Sequence, residues 1–269
     1  MTGIAGNSFD SVTVTVTVAD GVATVTLNRP EALNAQHMVM KAELAVIVKS
    51  LARDSDVRAV VVTGAGKAFS AGGDVKEMVL NTDPATSRER LDILLHDVYL
   101  PLARLEKPTI AAVNGLAFGS GLSLALACDI VIAAQDVKMS CAFIKMGLLP
   151  DCGSLYFLPR RLPMSVAKEL ILTGRQFTSE EALAMGLVNQ VVAREQLMDV
   201  ATTLAVELAA GPTVALGLAK RLLDQSLEST PEQLAELESM GQAILLATED
   251  HVEARRAFEQ KRVPTFRGK

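Results

Sequence analysis

Between Pro108 and Ala134 the chain reads PTIAAVNGLAFGSGLSLALACDIVIAA, and no other stretch restricts the fold as strongly. Thr109 to Val113 is short, apolar and β-branched enough for a buried strand, whereas Leu122 to Cys128 favours helix. Asn114-Gly115 and Gly119-Ser120-Gly121 break both patterns, so a strand turns sharply into a helix here. Glycines at such a junction let another group approach the main chain closely, and the first N–H groups of the helix lack intrahelical acceptors. A turn of this kind suits an oxygen atom that gains negative charge.

The remaining sequence surrounds that junction with strands and helices and supplies a second one like it. Residues 12 to 18, VTVTVTV, alternate strictly, Ala19-Asp20-Gly21 turns the chain, and Val22 to Leu27 returns as the second strand of a hairpin. Asn34 to Arg53 places apolar residues at helical spacing. Arg58 to Thr63 reads as a buried strand that leads into another glycine-bearing loop, Gly64 to Asp74. The helical pattern from Thr86 to Glu106 contains Pro101, which should kink it. Asp129 to Ala133 and Val137 to Ser140 read as short strands, and Phe143 to Pro159 as an irregular segment able to wall a pocket. Helices at Met164 to Thr173 and Ser179 to Met185 flank a Gly-Arg-Gln-Phe turn, and Leu187 to Val192 is the last strand. Helical segments then follow near 195–210, 212–227, 231–247 and 249–260 with no low-complexity linker, so this tail packs on the core or on a neighbouring subunit. The expectation is an α/β fold, with a core over 1–194 and a helical extension over 195–269.

Composition removes several classes of function. A chain of 269 residues with 49% hydrophobic content can bury one large core. Its formal charge of -5 and pI near 5.3 disfavour nucleic-acid partners, which need a basic face. MTGIAGNSFD has neither the basic start nor the apolar run of a secretory signal, and the long apolar stretch is too interrupted for a membrane span. Cys128, Cys141 and Cys152 lack metal-type spacing and suit a reducing cytoplasm, and with His37, His96 and His251 scattered no metal centre is expected. Neither glycine cluster completes a dinucleotide or P-loop signature.

Four segments taken together resemble the crotonase (enoyl-CoA hydratase/isomerase) superfamily. They are Asn28-Arg29-Pro30 with Ala32-Leu33-Asn34-Ala35, Ala68 to Asp74, Lys107-Pro108 through Asp129, and Ala257 to Arg262, in the family's order and spacing. The resemblance implies a spiral of ββα turns with a C-terminal helical region that makes trimers, often stacked as hexamers. It implies acyl-CoA thioesters as substrates, with the enolate oxygen of the thioester held between two backbone N–H groups, here those of Gly73 and Ser120. Loss of one such donor typically raises a barrier by ~3 to 4 kcal/mol. For CoA itself it implies contacts from the Ala71 carbonyl, the Gly73, Asp74 and Val75 segment, Lys76 and Ser120, with Phe258 and Lys261 serving a neighbour's CoA. Lys76 and Lys261 have an ordinary alternative as solvated surface lysines. Coenzyme A arrives with the substrate, so no separate cofactor is implied.

Where the sequence departs from that family's hydratases, it becomes more specific. The two glutamates that position water in typical hydratases are replaced by Ser123 and Phe143, neither of which can act as a carboxylate base. Asp151, after the Gly147-Leu148-Leu149-Pro150 turn, occupies the place where the superfamily's double-bond isomerases carry an acidic residue. Isomerisation needs one proton shuttle, and apolar neighbours such as Phe143 should raise the pKa of Asp151 toward a useful value. The ordinary alternative is that Asp151 caps the turn after Pro150 or the next helix. Ser123 reads as a small residue on a tightly packed helix, and Asp129 as part of a structural turn. The expected activity is therefore enoyl-CoA isomerisation. A hydratase or acyl-CoA hydrolase using Asp151 to direct water, and a CoA- or RNA-binding homologue without catalysis, stand as alternatives.

Overall fold

The computed structural model describes residues 12–78 and 83–269. The alternating hairpin forms as β1 (Val14–Ala19) and β2 (Val22–Leu27), antiparallel with Val14 opposite Leu27. Asp20 and Gly21 between them both take positive φ, the conformation of a two-residue turn whose twist matches its strands. From there the chain steps between two sheets. β3 (Ala59–Gly64) enters a larger sheet and β4 (Ala68–Ser70) a smaller one; β5 (Thr109–Val113) and β6 (Leu116–Phe118) repeat the step, as do β7 (Ile130–Ala134) and β8 (Lys138–Ser140). β9 (Gln176–Thr178) closes the smaller sheet and β10 (Gln190–Val192) the larger. The orders are β1-β2-β3-β5-β7-β10 and β4-β6-β8-β9, and every pair except β1/β2 and β8/β9 is parallel.

Every residue of β3 and β5 is buried, as a parallel sheet covered on both faces requires. The helices that cover and connect the strands are α1 (Met38–Arg53), α2 (Val75–Met78), α3 (Pro84–Leu94), α4 (Leu100–Ala103), α5 (Ser120–Leu126), α6 (Ser154–Arg161), α7 (Met164–Thr173), α8 (Ser179–Met185), α9 (Leu197–Ala209), α10 (Thr213–Ser226), α11 (Pro231–Leu246) and α12 (Glu249–Glu259). α9 lies across β2, β3, β5 and β7 and buries Ala201, Ala205 and Ala209 there, so the helical tail begins on the sheet itself. α5 is buried along its whole length between β4, β5, β6 and α6.

Several local expectations are corrected. The helix expected from Asn34 starts at Met38, because Leu33 and Asn34 adopt left-handed φ and Gln36 bridges to Gly73. The glycine loops expected between 64 and 74 and between 114 and 121 contain the strands β4 and β6, and the turn expected at 174–177 contributes to β9. The segment expected to be irregular, 143–159, holds a short 3-10 helix, Ala142–Met146, and most of α6, which carries Pro159. The irregularity expected at Pro101 is a π turn, Leu95–Tyr99, joining α3 to α4; Leu100 donates to the Leu95 carbonyl just before the residue that has no N–H to give.

Candidate active site

Three parallel neighbours of the smaller sheet end together, and the functional candidates lie just past their ends. β4 runs into Ala71-Gly72-Gly73, β6 into Gly119-Ser120, and β8 into Cys141 and Phe143. Carboxyl ends of parallel strands are where such folds place ligands. The first two turns touch. Gly72 has φ +92, and a Cβ built on it would lie 2.6 Å from the Phe118 carbonyl oxygen and 3.4 Å from the Ser120 nitrogen. Only glycine allows that approach. The third turn joins them through a bond from the Gly119 N–H to the Ser140 carbonyl (2.9 Å), and the Phe143 ring packs over Gly119.

Neighbouring amides on these turns are engaged. Gly72 donates to Ser70 Oγ (3.2 Å) and Asp74 to the Gln36 carbonyl (3.3 Å). Among the described residues the amides of Gly73 and Ser120 meet no acceptor, and Ser120, as the first residue of α5, has none within its helix. Two main-chain donors, one on each of two touching turns, are thus left for an outside acceptor.

The Asn28–Ala35 segment buttresses the first turn. Buried Asn34 donates to the carbonyls of Ala65 (3.0 Å) and Ala68 (2.8 Å), and its own carbonyl accepts from Ser70 Oγ (2.8 Å). Ala71 donates to the Leu33 carbonyl (2.9 Å). Arg29 bonds the Ala35 carbonyl (2.7 Å) and pairs with Asp74 (3.1 Å). Burial works against the Asp74 carboxylate, but Arg29 and the Lys76 amide outweigh it and hold its pKa below the usual value.

Asp151 stands beside the second turn. Its carbonyl accepts from the Ser154 amide (2.9 Å) and lies 3.5 Å from Ser123 Oγ. The next residue, Cys152, is forced to φ 53, and α6 is entered through Gly153 with no side-chain cap. The capping role open to Asp151 on the sequence is therefore not taken at this helix. Its Oδ1 is buried and has no hydrogen-bond partner among the described residues. Burial raises its pKa, opposed by the Cys152 thiol and the positive charge of Lys41. Ser123 is fully buried and bonded to Ser154 (2.6 Å), tying α5 to α6. The thiols are no nucleophiles: burial pushes Cys128 up to about 12 and Cys141 to about 11, and burial together with the Asp151 charge raises Cys152.

The structure does not bring every CoA candidate to this place. Val75 and Lys76 open α2 on the surface beside the first turn, with the Lys76 amide on Asp74 (3.1 Å). Phe258 is 85% exposed and Lys261 is also exposed, both at the end of α12. A cleft of about 950 Å³ lies at the other end of α5, where Lys220 pairs with Asp129, Arg221 with Glu106 and Arg160 with Glu228, and Arg161 donates to main-chain carbonyls. Two buried polar groups that sequence reasoning did not single out, Gln36 and Tyr99, sit between the two amide turns; no motif signals them, because they meet only in the fold.

Residues 17–269 match the family described as enoyl-CoA hydratase/isomerase. A 1,2-epoxyphenylacetyl-CoA isomerase of Escherichia coli K12 is 42% identical over 94% of this chain and 97% of its own length. A short-chain-enoyl-CoA hydratase of Clostridium acetobutylicum is 37% identical over 90% of this chain and 92% of its own. The crystal structure of an enoyl-CoA hydratase from Bacillus anthracis superposes with a TM-score of 0.90 at 31% identity, covering 95% of this chain and 99% of that one. With matched sequence along nearly its whole length and the same succession of strands and helices, this chain belongs to the enoyl-CoA hydratase/isomerase family, the crotonase superfamily.

Proposed function

We propose that the protein isomerises an enoyl-CoA thioester, shifting the double bond with Asp151 as the single proton carrier. In this reading the thioester oxygen accepts hydrogen bonds from the amides of Gly73 and Ser120. Ionised Asp151 removes a proton from C2 of a 3-enoyl thioester, and the electron pair moves through the C2–C1 bond onto the thioester oxygen. Asp151 then returns the proton at C4 while the charge flows back, leaving the 2-enoyl isomer. The observation that carries the proposal is the buried, unpartnered Oδ1 of Asp151 next to the amide turns, where the two hydratase glutamates are replaced by Ser123 and Phe143. A raised pKa suits a group that must both take and return a proton. The likeness to a protein named as an isomerase supports it.

Hydration with Asp151 directing water is the second reading, favoured by the relatives named as hydratases. Incubation with 2-enoyl, 3-enoyl and ring-derived thioesters, followed by mass spectrometry, separates the two. Isomerisation changes retention at constant mass, whereas hydration adds one water; mass gain as the main outcome overturns the proposal. The exposed Phe258 and Lys261 fit a CoA site completed by a neighbouring copy in a homotrimer or a hexamer. Lys76 and the Ala71, Asp74 and Val75 segment would serve the same CoA from within one chain.

A further inference from the structure

Gln36 reaches both amide turns. Its N–H donates to the Gly72 carbonyl (2.7 Å) and its carbonyl accepts from the Asp74 amide (3.3 Å), so its main chain holds Gly73 from either side. Its side chain leads to the other turn. Oε1 lies 2.7 Å from the Tyr99 hydroxyl, which in turn lies 3.1 Å from the Ser120 carbonyl. The hydroxyl has one proton and faces two acceptors, so both bonds form together only with the amide turned over, Gln36 Nε2 donating to Tyr99 and Tyr99 to the Ser120 carbonyl. Tyr99 is the last residue of the π turn, a rare element that is frequent at functional sites.

The chemistry of Gln36 is costly unless it serves a purpose. The residue is fully buried at 0% exposure, and only one of its two side-chain polar atoms meets a partner among the described residues, whichever way the amide is turned. An apolar residue of similar size would avoid burying an unsatisfied amide. Stability alone therefore gives no reason for a glutamine here.

We infer that Gln36 and Tyr99 are positioning residues that fix the separation and direction of the Gly73 and Ser120 amides. Gln36 grips the first turn by its main chain and reaches the second through the Tyr99 hydroxyl. The inference rests on the oxyanion reading of those amides. Its test uses the variants Gln36→Met, Tyr99→Phe and both together, with kcat, KM and Tm measured for each. A saturated acyl-CoA labelled with carbon-13 at the thioester carbonyl is bound to each protein, and its carbonyl stretch is read by infrared difference spectroscopy.

In the wild type the stretch moves to lower wavenumber on binding. Each single variant should lower kcat by about 10- to 100-fold, the scale of a displaced catalytic contact, with KM changed by less than about threefold. The carbonyl shift should shrink in parallel. The double variant should cost little more than either single one, because both break the same link, and its Tm should not fall. Unchanged kcat and carbonyl shift in the single variants overturn the inference, as does a loss of rate that follows Tm while the shift stays at its wild-type value. A wild-type protein that leaves the carbonyl unshifted would remove the oxyanion reading itself, and this inference with it.

Discussion

α5 is seven residues long, and an aspartate stands at each end of it, in opposite circumstances. At the C-terminal end the aspartate is fully engaged. Asp129 accepts from the Thr109 amide (2.7 Å), the Thr109 hydroxyl (2.8 Å) and Lys220 (2.8 Å), and Arg161 donates to the carbonyls of Leu126 and Cys128. At the N-terminal end groups are left open among the described residues: the amides of Gly73 and Ser120, the Ser120 hydroxyl and Oδ1 of Asp151. Native proteins satisfy nearly all buried polar groups, so a cluster left unsatisfied is the place where another molecule completes the bonding. The satisfied end has a cleft of about 950 Å³, but size alone gives it no chemistry.

Replacing each aspartate by asparagine tests that contrast with the largest effect. Asp151→Asn should lower turnover of a 3-enoyl-CoA by about 10³-fold, within the range for loss of a general base, in initial-rate assays. Its effect on stability has the unusual sign. Because the folded pKa lies above the unfolded one, the folded state holds the proton more tightly, so the stability from this group is present at low pH. It is lost as pH rises from about 4 through the folded pKa. An amide never ionises, so Asp151→Asn should leave Tm at neutral pH unchanged or higher. Equal loss of rate in the two asparagine variants would erase the distinction between the ends.

A methyl group at Gly72 comes next in size. Gly72→Ala forces a Cβ to within 2.6 Å of the Phe118 carbonyl at a φ that alanine rarely adopts, prying the two amide turns apart. The expected loss of kcat is about 10²-fold, near the effect of deleting one oxyanion donor. Retention of full activity would show that the contact between the turns does not matter.

Asp129→Asn should act almost wholly on stability. It leaves the half-buried head group of Lys220 without its anion, a loss of about 1.5 kcal/mol, which for a chain of this size lowers Tm by about 3 °C in calorimetry. Turnover at 25 °C should remain within about twofold, since nothing at that end touches the amide turns. A drop comparable to that of Asp151→Asn would place chemistry at the satisfied end after all.

The two ends were unequally visible in the sequence. The hairpin, the helices at 164–173 and 179–185 and the strand at 109–113 follow from alternation, spacing and glycine punctuation, which are local signals. β4, β6, β8 and β9 have three residues each, too few to carry a period, and are defined by partners far away in the chain; only β8 was expected, as part of a longer strand. α6 is obscured by Pro159. Gly73, Ser120 and Asp151, the residues of the proposed site, were singled out through motifs, and the fold brings the turns that carry Gly73 and Ser120 into contact. The Gln36–Tyr99 contact spans 63 positions and joins residue types that occur in any chain, so only the fold reveals it.

The finest probe of the open end is the acid limb of its pH profile. Lys41 on α1 lowers the Asp151 pKa against the larger effect of burial. Lys41→Gln removes the opposing charge and leaves burial in place, so the carboxyl should ionise at higher pH than in the wild type. A base must be ionised to accept the C2 proton, and the rise of kcat/KM with pH should therefore shift upward. Lys49→Gln, an exposed change on the same helix, should leave the limb where it is. A limb that moves downward in Lys41→Gln, or moves equally in both variants, would mean that the group titrating in the rate is not Asp151. The open end would then keep its amide cradle and lose its assigned base.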